Sequence, residues 1–176
     1  MKDYSNDKKE AVDLGLSVKW ASCNVGASDP NETGDYFAWG DPTGEKKSNN
    51  LEDYPTAIPP KEISGTEYDM ARKNWGGKWR LPTEEECDEL LTKCDVAFTG
   101  RGVTVTGPNG KSVFFAAAGR RDGYRFGQFG YYWTGTFNEN NEAFSLFLGM
   151  DEDYEFWECV AELDRSEPIS VRPVTE

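Results

Sequence analysis

The 176-residue sequence contains no histidine. This absence excludes imidazole bases, Ser-His and Cys-His nucleophile pairs, and zinc sites built on imidazole. The sequence also has no run approaching the roughly 20 apolar residues that a membrane-spanning helix needs. Basic residues are few, because 19 Lys and Arg stand against 32 Asp and Glu, for a net charge of −13. We therefore expect no nucleic-acid partner and no direct insertion into a membrane.

Cysteines do not form a recognisable framework. They stand at positions 23, 87, 94 and 159, without a C-x-x-C motif or metal-like spacing. Cys87 and Cys94 lie two turns apart on a predicted helix, which is too far for a disulfide between them. Free thiols packed as small apolar groups, and a pairing of Cys23 with a helix cysteine, both stay open at this point.

The first ten residues are polar and charged, so the sequence predicts a disordered tail over 1–10 and a single domain over 11–176. Their lack of an apolar segment means that they do not resemble a signal peptide. The long polar stretch 43–65, which contains three prolines, is typical of a surface loop.

Local patterns predict two helices followed by strands. Apolar residues alternate from Val12 to Trp20, which is typical of a half-buried strand. A short helix is expected over 70–75, and the capping box of Thr83 and Glu86 predicts a second helix over 84–94. Residues after 100 indicate hairpins and strands. The predicted class is α+β, with two helices and a mostly antiparallel, loop-rich β half.

Motifs for catalysis or metal binding are weak. The acidic stretch 151–167 could bind calcium, but it does not follow the EF-hand pattern. The glycine pairs are typical of turns, since none lies between a strand and a helix with a following Lys and Ser or Thr. Aromatic residues in the loops of 120–160 are instead typical of recognition surfaces, because they offer large contact area at low entropic cost.

Several blocks of the sequence, in this order, resemble the Fibrobacter-type major paralogous domain. The blocks are residues 11–21, 23–27, 34–40, 75–83, 105–110, 132–133 and 170–174. That family is similar to the formylglycine-generating-enzyme type of C-type lectin fold. The resemblance implies paired N- and C-terminal strands, two helices and a loop-rich ligand-binding face. Cys87 departs from the family pattern, in which tryptophan is usual.

The resemblance implies alternative functions. The enzyme branch oxidises a target cysteine with reactive cysteines and copper, but Cys159 is the single cysteine after residue 120. We therefore expect no catalytic residues and no cofactor. Another branch comprises variable proteins of diversity-generating retroelements, which display variable residues on the C-terminal lectin face. An ordinary cell-surface lipoprotein or adhesin domain is the alternative. A calcium-dependent sugar lectin would need a Glu-Pro-Asn or Gln-Pro-Asp triplet, which is absent.

We therefore expect a non-catalytic domain, associated with a virion or a bacterial cell surface, that binds a protein or glycan receptor without a metal. Its oligomeric state is open. Aromatic residues would give apolar contact, and two asparagines would offer hydrogen bonds. The predicted ligand-binding residues are Tyr124, Phe126, Phe129, Phe137, Asn138, Asn140, Ser145, Phe147, Asp151, Asp153, Tyr154, Phe156 and Trp157.

Overall fold

The computed structural model describes residues 2–45, 60–138 and 141–176, and within them the chain is α+β, as predicted. None of the helices in these ranges is long and apolar enough to cross a membrane. The elements are β1 Ala11–Val12, β2 Lys19–Ala21, β3 Tyr36–Phe37, α1 Met70–Trp75, α2 Glu84–Lys93, β4 Asp95–Phe98, β5 Gly102–Thr106, β6 Ser112–Ala116, β7 Phe129–Phe137, β8 Glu142–Met150, β9 Phe156–Asp164, β10 Ile169–Ser170 and β11 Val174–Thr175.

Both predicted helices are present, and each begins at a side-chain cap. In α2 the Thr83 hydroxyl accepts from the Glu86 amide, and the Glu86 carboxylate accepts from the Thr83 amide, which completes the predicted capping box. In α1 the Asp69 carboxylate accepts from two amides of the first turn and also from the Leu81 amide. Burial raises the pKa of Asp69, while these bonds oppose that shift. Asp69 therefore joins α1 to the segment that leads into α2.

The strands form three sheets among the described residues. The largest has the order β3-β10-β7-β8-β9, a second pairs β1, β2 and β11, and the third is the meander β4-β5-β6. Pairing is antiparallel except between β10 and β7. The nine residues of β8 pair with the nine of β9 without a register shift. The C-terminal strand β11 pairs with β2.

The five-stranded sheet separates two apolar clusters. On one face, which we call the helix face, Tyr132 and Leu146 pack with Cys87 and Leu90 of α2. On the opposite face, Trp133 packs in a second cluster that includes α1 and β3. The central strands β7 and β8 are therefore buried on both sides over much of their length. The part of this second face nearest β9 is partly open to solvent among the described residues, since Phe147, Cys159 and Ala161 are half-buried there.

The N-terminal predictions were wrong in two respects. The predicted strand over 12–20 is a hairpin of β1 and β2, with Gly15 at a positive φ of 81° in the turn between them. Leu14 and Val18 are buried all the same, because tertiary packing covers the turn. Residues 2–10 were predicted to be a disordered tail, but Tyr4 is buried in the core and the Asp7 carboxylate accepts from Trp75.

A buried arginine contacts all three sheets. Arg172 is fully buried and donates to the Asn24 side chain, the Ala21 carbonyl and the Phe114 carbonyl. Its guanidinium carbon lies 4.5 Å from the Phe115 ring centroid and 5.8 Å from that of Tyr132. Burial lowers the pKa of Arg172. The three acceptors and the ring faces compensate for the loss of water around the charge.

We predict that Arg172→Leu lowers the free energy of unfolding by more than about 3 kcal/mol, because three acceptors, two of them in fully buried residues, lose their donor. Urea unfolding followed by tryptophan fluorescence measures this change. The matched control is Arg101→Leu, since Arg101 is exposed, and we expect that variant to stay within about 0.5 kcal/mol of the native protein. Equal unfolding midpoints for both variants would contradict the structural role of Arg172.

Candidate functional site

An open groove of about 340 Å³ lies on the exposed end of the sheet face opposite α2. We call it the aromatic groove. The rings of Phe129 and Tyr131 on β7 and Phe147 on β8 form its floor, and the Tyr131 and Phe147 rings meet edge to face at 4.8 Å. The residues that line the groove are Tyr124, Arg125, Phe129, Tyr131, Phe147, Trp157, Cys159 and Ala161.

Strand register brings these residues together. Phe147 stands opposite Tyr131 on one side and Cys159 on the other, and Gly149 stands between Phe129 and Trp157. A Cβ at Gly149 would lie 2.1 Å from the Gln128 carbonyl oxygen. The backbone at Gln128 therefore approaches β8 this closely only because position 149 has no side chain.

One wall of the groove is the loop between β6 and β7. The loop folds back on itself, since the Gly119 amide donates to the Phe129 carbonyl and the Arg120 amide donates to the Tyr124 carbonyl. Arg125 adopts a positive φ of 57°, which places the residue in the left-handed region. This loop holds Tyr124, which is 49% exposed, above the rings of the floor.

The other wall is the turn between β8 and β9, which is organised around Asp151. Its carboxylate accepts from the amides of Asp153 and Glu155, and its second oxygen accepts from the Trp157 indole at 2.9 Å. These hydrogen bonds lower the pKa of Asp151, that of the indole first. The turn therefore orients a tryptophan that is 49% exposed. Tyr154, at the tip of the turn, is 84% exposed and has a positive φ of 63°.

Two arginines already occupy ring faces in this region. The guanidinium carbon of Arg120 lies 4.8 Å from the Tyr124 ring centroid and 5.5 Å from that of Tyr131. That of Arg125 lies 5.5 Å from the Tyr124 centroid. Arg120 also pairs with Glu167 at 3.0 Å. These contacts fix the ring orientations before any ligand binds.

The side chains that line the groove are better suited to binding a ligand than to covalent catalysis. Cys159 carries its one thiol, and burial raises the pKa of that thiol above the ordinary value. The thiol is therefore uncharged at neutral pH, whereas a nucleophilic cysteine acts as the thiolate. Among the described residues, no group of three or more carboxylates and thiols is arranged to hold a metal ion.

Seven of the predicted site residues lie in the groove or on its walls: Tyr124, Phe129, Phe147, Asp151, Asp153, Tyr154 and Trp157. Phe129 was expected to offer an apolar surface, but it is buried and serves as floor. Asp153 and Tyr154 are exposed on the turn beside Trp157.

The other predicted residues are not in the groove. Phe126, which is 64% exposed, lines a separate hollow next to Arg101. Phe156 alternates with Trp157 along β9 and so lies on the helix face. Ser145 was expected to point outward, but it is fully buried and donates to the Ala161 carbonyl. That prediction was wrong because β8 is a central strand with packing on both faces.

The last three predicted residues, Phe137, Asn138 and Asn140, lie away from the groove or outside the described residues. Phe137 stacks on Trp39 at 5.1 Å and belongs to the packing around the core. Asn138 bonds to Glu142 at the turn between β7 and β8, which is the opposite end of the sheet from the turn at Asp151. Asn140 lies outside the described residues.

Sequence reasoning missed Tyr131, Arg120, Arg125, Cys159 and Ala161. One signal could have found Tyr131, because it alternates with Phe129 along β7 and so shares its face. No sequence pattern comparably indicated that the small residues of β9, Cys159 and Ala161, line the groove. They line the groove only because of their register with β8.

Comparison with known proteins gives no match for this chain: no family model, no curated protein and no solved structure is similar to it.

We predict that the Trp157 indole reports the ionisation of Asp151. Because the pKa of Asp151 is lowered in the folded protein, its bond to the indole is present above that pKa and is lost as the pH falls through it. The Trp157 indole N–H resonance, followed by NMR, should therefore shift with a midpoint below the ordinary aspartate value. Asp151→Asn should abolish that step. A midpoint at or above the ordinary value would contradict the assignment.

Proposed function

We propose that this protein is a non-catalytic domain that binds a ligand or receptor through the aromatic groove. The observation that carries the proposal is the exposure of Trp157 and Tyr124, each 49% exposed, above a floor of packed rings. Exposed aromatic side chains held in a fixed orientation are typical of interface hot spots. The orientation is fixed here by Asp151 on one wall and by Arg120 on the other.

Shape and polarity favour a macromolecular ligand over a small one. The groove is shallow and open, whereas sites for small molecules bury most of the ligand surface. Its two walls are a loop and a turn, which can contact a broad surface together with the exposed ring of Tyr154. A protein or glycan receptor is the class of ligand that fits this form.

We propose further that the domain has the C-type lectin-like fold implied by its family resemblance. The pairing of β2 with β11 and the two helices support that proposal. Within that fold, the face is a candidate for diversification by a retroelement, in a protein carried by a phage or displayed on a bacterial surface. An ordinary surface lipoprotein or adhesin domain is the alternative, and a relative of the formylglycine-generating oxidases is the remote one.

We predict that ligand binding depends on Trp157 and Phe147. The purified protein would be screened against arrayed cell-surface glycans and against intact bacterial cells, and each binder would be retested by calorimetry or by cell-binding titration. Trp157→Ala and Phe147→Ala should each weaken binding by about 30-fold, corresponding to the loss of about 2 kcal/mol at a hot spot.

The matched control for this prediction is Phe156→Ala. Phe156 is an exposed ring on the neighbouring position of β9, but it lies on the opposite face of the sheet. Binding by Phe156→Ala should match the native protein. Binders that tolerate loss of both groove rings would rule out the groove as the ligand site.

Diversification is tested separately, by sequencing the gene across its source population. If a retroelement acts on it, substitutions should concentrate at adenine-bearing codons of exposed positions on the walls, such as Tyr124, Asp153 and Tyr154. Codons for the buried floor residues Phe129 and Tyr131 should not change. Substitutions spread evenly along the chain would support the adhesin alternative instead.

A further inference from the structure

The long outer edge of the five-stranded sheet borders the aromatic groove. Strand β9 is the last in the order β3-β10-β7-β8-β9, and it has nine residues, whereas β3 at the other edge has two. Three groove residues, Trp157, Cys159 and Ala161, belong to this strand. A chain added beside β9 would therefore extend the floor of the groove.

Hydrogen bonds near β9 define which of its backbone groups face outward. The Asp151 amide donates to the Glu155 carbonyl, and the Ser145 hydroxyl reaches the Ala161 carbonyl. The odd-numbered residues of β9 therefore direct their backbone groups toward β8. In an antiparallel pair the intervening residues direct theirs away from the partner strand.

The outward-facing residues are Phe156, Glu158, Val160 and Glu162. Within the described parts of the chain, their amides and carbonyls have no hydrogen-bond partner beyond β8. A row of such groups on a regular strand is a template for another strand. The register along all nine pairs is continuous, so no bulge interrupts this edge.

Charge selects the kind of strand that can bind here. Strand β9 carries Glu158, Glu162 and Asp164 and has no lysine or arginine. The neighbouring α2 adds Glu84, whose pKa is raised by burial first, then by Asp88 and, more weakly, by Glu162, while Lys61 opposes the shift. A cationic segment would relieve this repulsion, and the net charge of −13 would favour its approach.

The same charges oppose a second copy of the chain. If two β9 strands paired antiparallel about Val160, Glu158 of each would stand opposite Glu162 of the other. Like charges directly opposite each other destabilise a strand pair. The charges on this edge therefore favour pairing with a cationic strand and oppose pairing with a second copy of β9.

Resting on the proposed function of the groove, we propose that β9 docks an extended cationic segment of a partner protein. The segment adds antiparallel to β9 and places Lys or Arg beside Glu158 and Glu162. Its intervening side chains lie over Cys159 and Ala161, where the small residues leave space beside the Phe147 ring. Backbone pairing gives affinity, and the alternating side chains give specificity.

The test uses the full chain and the capped peptide Thr-Arg-Leu-Val-Leu-Arg-Thr, with binding measured by calorimetry and amide exchange by NMR. In antiparallel register its valine stands opposite Val160, and its two arginines stand opposite Glu158 and Glu162. We expect saturable binding, with the outward amides of Glu158, Val160 and Glu162 newly protected from exchange. No binding by this peptide, or binding without that protection, would overturn the proposal.

Two modified probes separate backbone pairing from charge attraction. N-methylation of the central valine removes one backbone donor, so affinity should fall by about tenfold. Replacing both arginines by glutamate should abolish binding, and Glu158→Gln with Glu162→Gln should flatten its salt dependence. If the N-methylated peptide bound as well as the parent, strand addition would be refuted.

A protein variant gives the reciprocal test. Val160→Pro removes an outward donor, a change that an edge strand tolerates, and Val160→Thr keeps the donor as its matched control. We expect peptide binding to be lost in the first variant and kept in the second. If Val160→Pro failed to fold, the N-methylated peptide would still decide the question.

Failure of this proposal is distinguishable from failure of the proposed function. Receptors that depend on Trp157 and Phe147, with no binding by the peptide, would refute strand docking alone. Peptide binding that is sensitive to N-methylation, with no ligand dependent on those rings, would refute the function of the groove and leave the edge as the docking site.

Discussion

The guanidinium of Arg172 contacts each of the three sheets, and their relative positions depend on it. It bonds to the Ala21 carbonyl of β2 and the Phe114 carbonyl of β6, and it lies near the Tyr132 ring of β7. No flexible ion pair could replace this arrangement, because a planar fork with several donors reaches fixed carbonyls in different directions. Strand β7 also carries the floor of the groove through Phe129 and Tyr131. The buried contact between Arg172 and the Tyr132 ring therefore helps to hold that floor in place.

Side chains along β7, β8 and β9 alternate between the two faces of the sheet, so each face has its own set of residues. In β7, Tyr132 points to the cluster under α2, whereas Tyr131 lines the groove. The same alternation holds in the edge strand β9: Trp157 faces the groove, and Val160 packs toward α2. One consequence is that a single turn around Asp151 positions the groove wall and also begins the exposed edge.

The parts of the fold that local chemistry decides could be predicted from the sequence. Helix α2 was predicted because the capping box of Thr83 and Glu86 satisfies its own amides, whatever the rest of the chain does. The site was less predictable, because burial on both faces of β8 is a tertiary property. Alternation suggested that Ser145 points outward, although it is packed under Ala161. The aromatic residues around Phe156 likewise form one patch in the sequence. Alternation along β9 places Phe156 and Trp157 on opposite faces of the sheet.

The distribution of charge gives the groove and the edge different preferences. Inside the groove, Arg120 and Arg125 already lie over the Tyr124 ring, so an incoming cation would meet a face that is occupied. Outside it, the acids of β9 have no basic residue on their own strand. A ligand that contacts both regions is therefore best accommodated with apolar groups on the rings and positive charge along the edge. An alternating strand provides this arrangement, because its successive side chains point to opposite faces.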